Sequence, residues 1–196
     1  MRMLTEQDTE TAVSILRGGG VIVIPTETVY GLACRWDDAD ARERIYRLKR
    51  RPATKRLPML AHDLASAERA GVMESEPLRR LAQAFWPGAL TVVAPARQPG
   101  ETIGLRIPNH PVALAILRTL GEPLACTSAN LSGEKSALTV EEALRSLDGE
   151  PDAVVDAGRV TVTDGQSSTV VSLLEGQPKI LREGPISLRQ IEEAMQ

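Results

Sequence analysis

Val21-Ile22-Val23-Ile24-Pro25-Thr26-Glu27-Thr28-Val29-Tyr30-Gly31-Leu32 decides the fold. Four consecutive β-branched residues suit a strand buried on both faces, as inside an α/β sheet. Upstream, Ala12, Ile15 and Leu16 have helical spacing from Thr5 onward, and Gly18-Gly19-Gly20 ends that helix. The glycines precede the strand, whereas a dinucleotide-binding loop follows one, so they read as a turn. Downstream, residues 25–32 form a hydroxyl-rich loop just past the carboxyl end of the strand, where open α/β sheets hold their ligands. A turn that satisfies its own backbone with those hydroxyls is the competing reading.

The same alternation continues to the end of the chain. Asp38 or Asp40 caps a helix through Ala41, Ile45 and Leu48, whose last turn opens a run of six cations: Arg47, Lys49, Arg50, Arg51, Lys55 and Arg56. A helix dipole accounts for one or two cations there, not for charge that continues past Pro52, and the excess points to an anion. Residues 57–61 read as a strand, 63–70 and 75–85 as helices, 89–93 and 102–107 as strands. On the last of these, Ile103, Leu105 and Ile107 share one face, with Thr102, Gly104 and Arg106 on the other. A helix over 111–120 closes at Gly121, and a strand at 123–126 runs into a second polar loop, 127–133, with Ser128 and Asn130. Thr139 with Glu142, and Ser187 with Gln190, have capping-box spacing. Strands at 153–156, 169–173 and 179–181 complete a single domain over residues 1–196. Closely spaced strands within an α/β alternation imply antiparallel pairs in a mixed sheet.

The formal charge of −3 over 196 residues argues against a general nucleic-acid coat protein and leaves a local anion site open. The polar N-terminus and the lack of a bilayer-length apolar run predict a cytoplasmic protein with no membrane association. Cys34 and Cys126 lack metal or disulfide spacing, and His62 and His110 are too few for a histidine-rich metal centre. There is no GxxxxGK[ST], HExxH or GxSxG. What remains is arginines, lysines, hydroxyls and an asparagine, an inventory suited to positioning anions and stabilising developing negative charge in phosphoryl or nucleotidyl transfer.

PTETVYGL at 25–32, Lys49 and Arg51 as KxR, WPGALT at 86–91, GLRIP at 104–108, TSANLSG at 127–133, SSTVVSL at 167–173 and ILREG at 180–184 occur in this order. The ordered set resembles the YrdC/TsaC family of threonylcarbamoyl-AMP synthases. The resemblance implies a YrdC-like α/β domain, a twisted mixed sheet flanked by helices. It also implies a nucleotidyltransferase that makes threonylcarbamoyl-AMP and pyrophosphate from L-threonine, bicarbonate and ATP with Mg²⁺, the first stage of N6-threonylcarbamoyl modification of a tRNA adenosine. Carried over residue by residue, Lys49 and Arg51 are catalytic. Arg51, Lys55, Thr102, Asn130 and Arg182 meet ATP, with Lys49 among the phosphate-holding cations, and Thr28, Arg106, Ser128 and Ser168 meet L-threonine. No residue is assigned to a metal. Contact with tRNA or with the transferase acting next is a further implied partnership.

The sequence departs from the pattern at Arg56, where proline is common, at Leu60, where some members have a histidine that helps to hold threonine, and at Leu138, where threonine is common. His62 reads as a surface residue rather than a replacement for that histidine. The chain also ends where the catalytic domain ends, without the extra C-terminal domain of longer members. Two alternatives follow: a double-stranded RNA or tRNA-binding module using the 47–56 cations, and a paralogue acting on another carbamoyl-type substrate.

Overall fold

In the computed structural model, which describes residues 1–161 and 165–196, the β-branched run forms strand β2 (Ile22–Ile24), every residue of which is buried. Before it lie β1 (Arg2–Thr5) and helix α1 (Thr9–Arg17). The helix therefore starts four residues later than its spacing predicts. Asp8 accepts the Thr5 N–H at 2.8 Å and the Thr5 hydroxyl at 2.7 Å, ending a strand the sequence concealed. β1 is an edge strand with exposed Met3, so it lacks the alternation that marks a half-buried strand. Among the three glycines, Gly19 (φ 79°) takes the left-handed conformation.

The stretch after the polar loop is also a strand, β3 (Gly31–Arg35), hidden because Leu32, Ala33 and Cys34 are buried without alternation. Asp38 caps α2 (Ala39–Leu48) by accepting the Ala41 N–H at 2.9 Å. This helix ends in a Schellman motif: Arg50 N–H donates to Arg47 O at 3.0 Å and Arg51 N–H to Tyr46 O at 2.9 Å. Arg50 occupies the left-handed position (φ 46°) where glycine is usual, at a cost of about 1–2 kcal/mol. The tight turn buries Lys49 and reverses the chain at Arg51.

The strand expected over 57–61 contributes only β4 (Met59–Leu60) to the sheet. Then follow α3 (Leu64–Arg69), capped by Asp63, α4 (Glu76–Phe85), capped by Ser75, β5 (Leu90–Pro95), β6 (Thr102–Arg106), α5 (Pro111–Leu120) and β7 (Leu124–Ser128). The chain closes with α6 (Val140–Ser146), β8 (Ala153–Asp156), β9 (Thr169–Ser172), β10 (Lys179–Arg182) and α7 (Leu188–Met195). Ser187 and Gln190 make the full capping box. Thr139 makes only half of one, because Glu142 turns to accept the Leu138 N–H at 2.7 Å.

The strands form one mixed sheet in the order β1-β8-β2-β3-β7-β4-β6-β5-β9-β10. As expected, β5 and β6 pair antiparallel, as do β9 and β10; β1–β8, β2–β8, β4–β6 and β5–β9 are parallel. One face is buried across the interior of the sheet. Val23, Leu32 and Ala125 pack under α2 and α6, while Met59, Val92, Leu105 and Val171 pack under α3, α4 and α7. The other face is covered over half its width, where α1 and α5 lie on Ile22, Ala33, Leu124 and Val155. Over β4, β6, β5 and β9 that second face carries a cleft, and most of the candidate site residues line it.

Candidate functional site

Strand alternation sets the floor of the cleft. The register pairs Gly31 with Ser128, Leu60 with Arg106, Gly104 with Val93, and Thr91 with Val170, and all eight residues line one cavity of about 320 Å³. Thr102, Gly104 and Arg106 share this face, as the period-two reading of 102–107 requires. Gly104 leaves the floor open, since an added Cβ would meet nothing closer than 3.6 Å. Gly31 is different: a Cβ there would stand 2.6 Å from Cys126 Sγ. Gly31→Ala is therefore expected to lower unfolding free energy by about 1–3 kcal/mol. In urea denaturation, Gly31→Ala/Cys126→Ala should be more stable than Gly31→Ala alone, because removing the sulfur makes room for the methyl.

The wall above β6 comes from the polar loop of the opening stretch. Thr26 Oγ1 accepts the Thr28 and Val29 N–H groups at 3.3 and 3.2 Å and donates to Val29 O at 2.6 Å, so Thr26 does satisfy its own backbone. Thr28 Oγ1 accepts from Arg106 Nη1 at 3.0 Å. Arg106 is held on two further sides. Its Nε donates to Gly88 O at 3.1 Å, and Nη2 lies 2.7 Å from Glu27 Oε1. The second contact is a charge contact rather than an aligned hydrogen bond, since neither atom has a partner of good geometry. Gly88 is obligatory in the 86–91 turn, where a Cβ would fall 2.3 Å from Phe85 O. Both Glu27 and Arg106 are buried, with the carboxylate behind the guanidinium and outside the cleft lining.

At the far wall, Arg182 donates through Nε (3.1 Å) and Nη2 (2.8 Å) to Ser168 O, and through Nη2 to Ser168 Oγ (3.1 Å). Ser168 Oγ also lies 2.8 Å from Thr91 Oγ1. Arg51 closes its own turn, donating to Lys55 O and Arg56 O at 2.9 Å each. Burial, followed by the charges of Arg106 and Arg51, holds the Arg182 guanidinium below its ordinary pKa, and burial does the same to Arg51. Arg51, Arg56, Arg106 and Arg182 all line the cavity, and among the described residues no carboxylate does. Burial pushes the thiol of Cys126, on the floor, up to about 12, so it stays protonated and is no nucleophile.

The structure brings together Thr28, Arg51, Thr102, Arg106, Ser128, Ser168 and Arg182. It does not bring Lys49, Lys55 or Asn130 to the surface of the cavity. Lys55 is exposed outside it. Asn130 is buried and turned into its own loop, with Nδ2 donating to Leu131 O (2.7 Å) and Glu134 O (2.9 Å). Lys49 is 1% exposed, and its Nζ donates to Ser128 O and Asn130 O. Burial, and secondarily Arg51, lowers its pKa to about 8. The family resemblance gave no site role to Thr26, Thr91, Ser167 or Arg56, which also line the cavity. Alternation on β5 could have found Thr91, since Leu90, Val92 and Ala94 all point into the core. Arg56, one of the cations past Pro52 whose charge pointed to an anion, reaches across the rim to donate to Thr102 O at 3.2 Å. His62 lies outside the cleft with Nε2 3.4 Å from Asp63 Oδ2, whereas Leu60 lines it. Leu138 is buried in the core.

A family model described as "Telomere recombination", for the Sua5/YciO/YrdC domain, matches residues 14–184. The chain belongs to this family. It is 38% identical over 192 residues to a threonylcarbamoyl-AMP synthase of Bacillus subtilis, covering 92% of this chain and 54% of that protein. The crystal structure of Pyrococcus abyssi Sua5 complexed with L-threonine superposes with a TM-score of 0.91 at 31% identity, covering 99% of this chain and 61% of that one. Escherichia coli YciO superposes with a TM-score of 0.83 at 27% identity, covering 97% and 98%. The chain thus spans little more than half of the B. subtilis relative and nearly all of YciO.

Proposed function

We propose that this domain makes threonylcarbamoyl-AMP from L-threonine, bicarbonate and ATP, releasing pyrophosphate, as the first stage of N6-threonylcarbamoyl modification of tRNA. The observation that carries the reading is a hydroxyl-floored cleft with four arginines and, among the described residues, no carboxylate in its lining. The names of the synthase relatives and the threonine-bound neighbour support it. Arg106, already fixed by Glu27, Thr28 and Gly88, meets the carboxylate of threonine, with the hydroxyls of Thr28, Ser128 and Ser168 around it. Carbamate formation makes the substrate dianionic. Arg51 and Arg182 then hold the triphosphate so that the carbamate oxygen attacks the α-phosphorus in line and pyrophosphate leaves, their fixed charges stabilising the transition state. Among the described residues, no group of three His, Cys, Asp or Glu could hold a metal, and Glu27 lies behind Arg106. The described residues thus offer no ready-made cage for Mg²⁺, which would enter on the phosphates of the nucleotide and share their charge. Localisation in the cytoplasm and handover to tRNA or a downstream transferase belong to the same reading; no helix among the described residues is long and apolar enough to cross a membrane.

Purified protein with Mg²⁺ should release pyrophosphate from ATP only when L-threonine and bicarbonate are both present. Arg51→Ala should slow that release by about 10²-fold. No release under those conditions would end the proposal. A second reading, a paralogue acting on another carbamoyl-type substrate, is favoured by Leu60 in the lining. Thermal-shift screening of amino acids in the presence of an ATP analogue separates the two, because only the preferred one adds a large stabilisation. The RNA-binding alternative loses much of its basis. Of the six 47–56 cations, Lys49 lies in the core, Arg50 and Arg56 pair with Asp148 and Glu101, and Arg51 and Arg56 line the cleft, which leaves Arg47 and Lys55 as exposed charges outside these contacts.

A further inference from the structure

Lys49 carries a buried positive charge that forms no ion pair among the described residues, and the main charge acting on it is another cation, Arg51. Burying a charge without a counter-charge is costly unless hydrogen bonds compensate. Here the compensation comes entirely from the backbone of one loop. The ammonium donates to Ser128 O and Asn130 O, and the Lys49 carbonyl accepts the Ser132 N–H at 2.9 Å. The loop is braced from its other side by Ser146 Oγ, which accepts the Leu131 N–H at 3.0 Å. Its first residue, Ser128, lies on the cleft floor, while Lys49 itself does not line the cavity. The Schellman turn explains the division of labour, since it directs residue 49 into the fold and residue 51 into the cleft.

We infer that Lys49 is a positioning residue that fixes the 128–132 loop from behind, joining it to the turn that carries Arg51, rather than a group that touches the phosphates. The inference rests on the proposed function and departs from the catalytic, phosphate-holding role implied by the family resemblance. Its consequence is that Lys49 matters to the amino-acid half of the cleft even when no nucleotide is bound. A residue that acted on the phosphates would matter only to ATP.

The test is L-threonine binding by calorimetry in the absence of ATP, together with amide hydrogen exchange over 128–132. Lys49→Met should weaken L-threonine by about tenfold or more and strip protection from the Ser132 amide. Arg50→Gly, in the same turn but outside the cleft, should change neither. If Lys49→Met bound L-threonine as the wild type does while losing ATP, the ammonium would be a phosphate ligand and the inference would be overturned. If the wild type bound no L-threonine, the proposed function would fail, and the exchange data alone would decide on Lys49, with unaltered loop protection refuting the inference. Should Lys49→Met not fold, Lys49→Gln, which retains one donor group, should give a partial loss in both measurements, and no loss in either would refute it.

Discussion

Glu27→Ala should lower the unfolding free energy by about 3–5 kcal/mol, the usual penalty for removing one member of a buried ion pair. The Glu27 and Arg106 side chains are 7% and 9% exposed, so the pair sits in a medium that screens it poorly. With the carboxylate gone, Arg106 retains hydrogen bonds to Thr28 Oγ1 and Gly88 O but no counter-charge. Urea unfolding at neutral pH would measure the loss, and a change below about 1 kcal/mol would mean that water in the cleft already solvates the guanidinium. An independent readout is His110. Burial lowers its pKa and the charge of Glu27 opposes that, so the variant should titrate lower still by NMR. Sulfate or pyrophosphate should stabilise the variant more than the wild type, because either anion can supply the charge that was removed.

The same ion pair shows how far the sequence could be read. Arg106 was legible because strand alternation is a backbone rule: once 102–107 is a strand, Thr102, Gly104 and Arg106 share a face. The side on which Glu27 would fall was not legible. It sits in a loop between two threonines that face the cleft, and only the tertiary contact with Arg106 settles its direction. β3 and β1 were missed for opposite reasons. β3 is buried on both faces and shows no alternation, whereas β1 is an edge strand with little to bury. Lys49 and Asn130 illustrate a further limit. Charge and hydrogen-bonding capacity identify them as residues for a polar site, but the Lys49 ammonium and the Asn130 amide N–H groups are directed to backbone carbonyls of the 128–134 loop. Composition cannot separate a group that touches a ligand from one that holds the group beside it.

Arg182→Ala should reduce ATP affinity by about 10–100-fold while changing the stability of the unliganded protein by about 1 kcal/mol or less. The affinity estimate follows from losing charge-assisted hydrogen bonds worth about 1.5–3 kcal/mol. The small stability change follows from two opposing effects. The fold loses the bonds from Arg182 to Ser168 O and Oγ, which hold β9 to the end of β10. It gains relief from a guanidinium whose pKa is lowered by burial and then by two like charges, Arg106 and Arg51. Thermal unfolding with and without ATP reads both terms: at 100 times its dissociation constant the nucleotide should stabilise the wild type by about 2.7 kcal/mol, and the variant by much less at the same concentration. Salt supplies a sign test. Raising ionic strength should favour the unliganded wild type more than the variant, because screening weakens a repulsion only the wild type fully contains. A large loss of stability with ATP affinity intact would mean that Arg182 serves as a strut between β9 and β10. The opposite pattern would mean that the cleft is held with its cations mutually repelling, so that part of the free energy of nucleotide binding is the release of that repulsion.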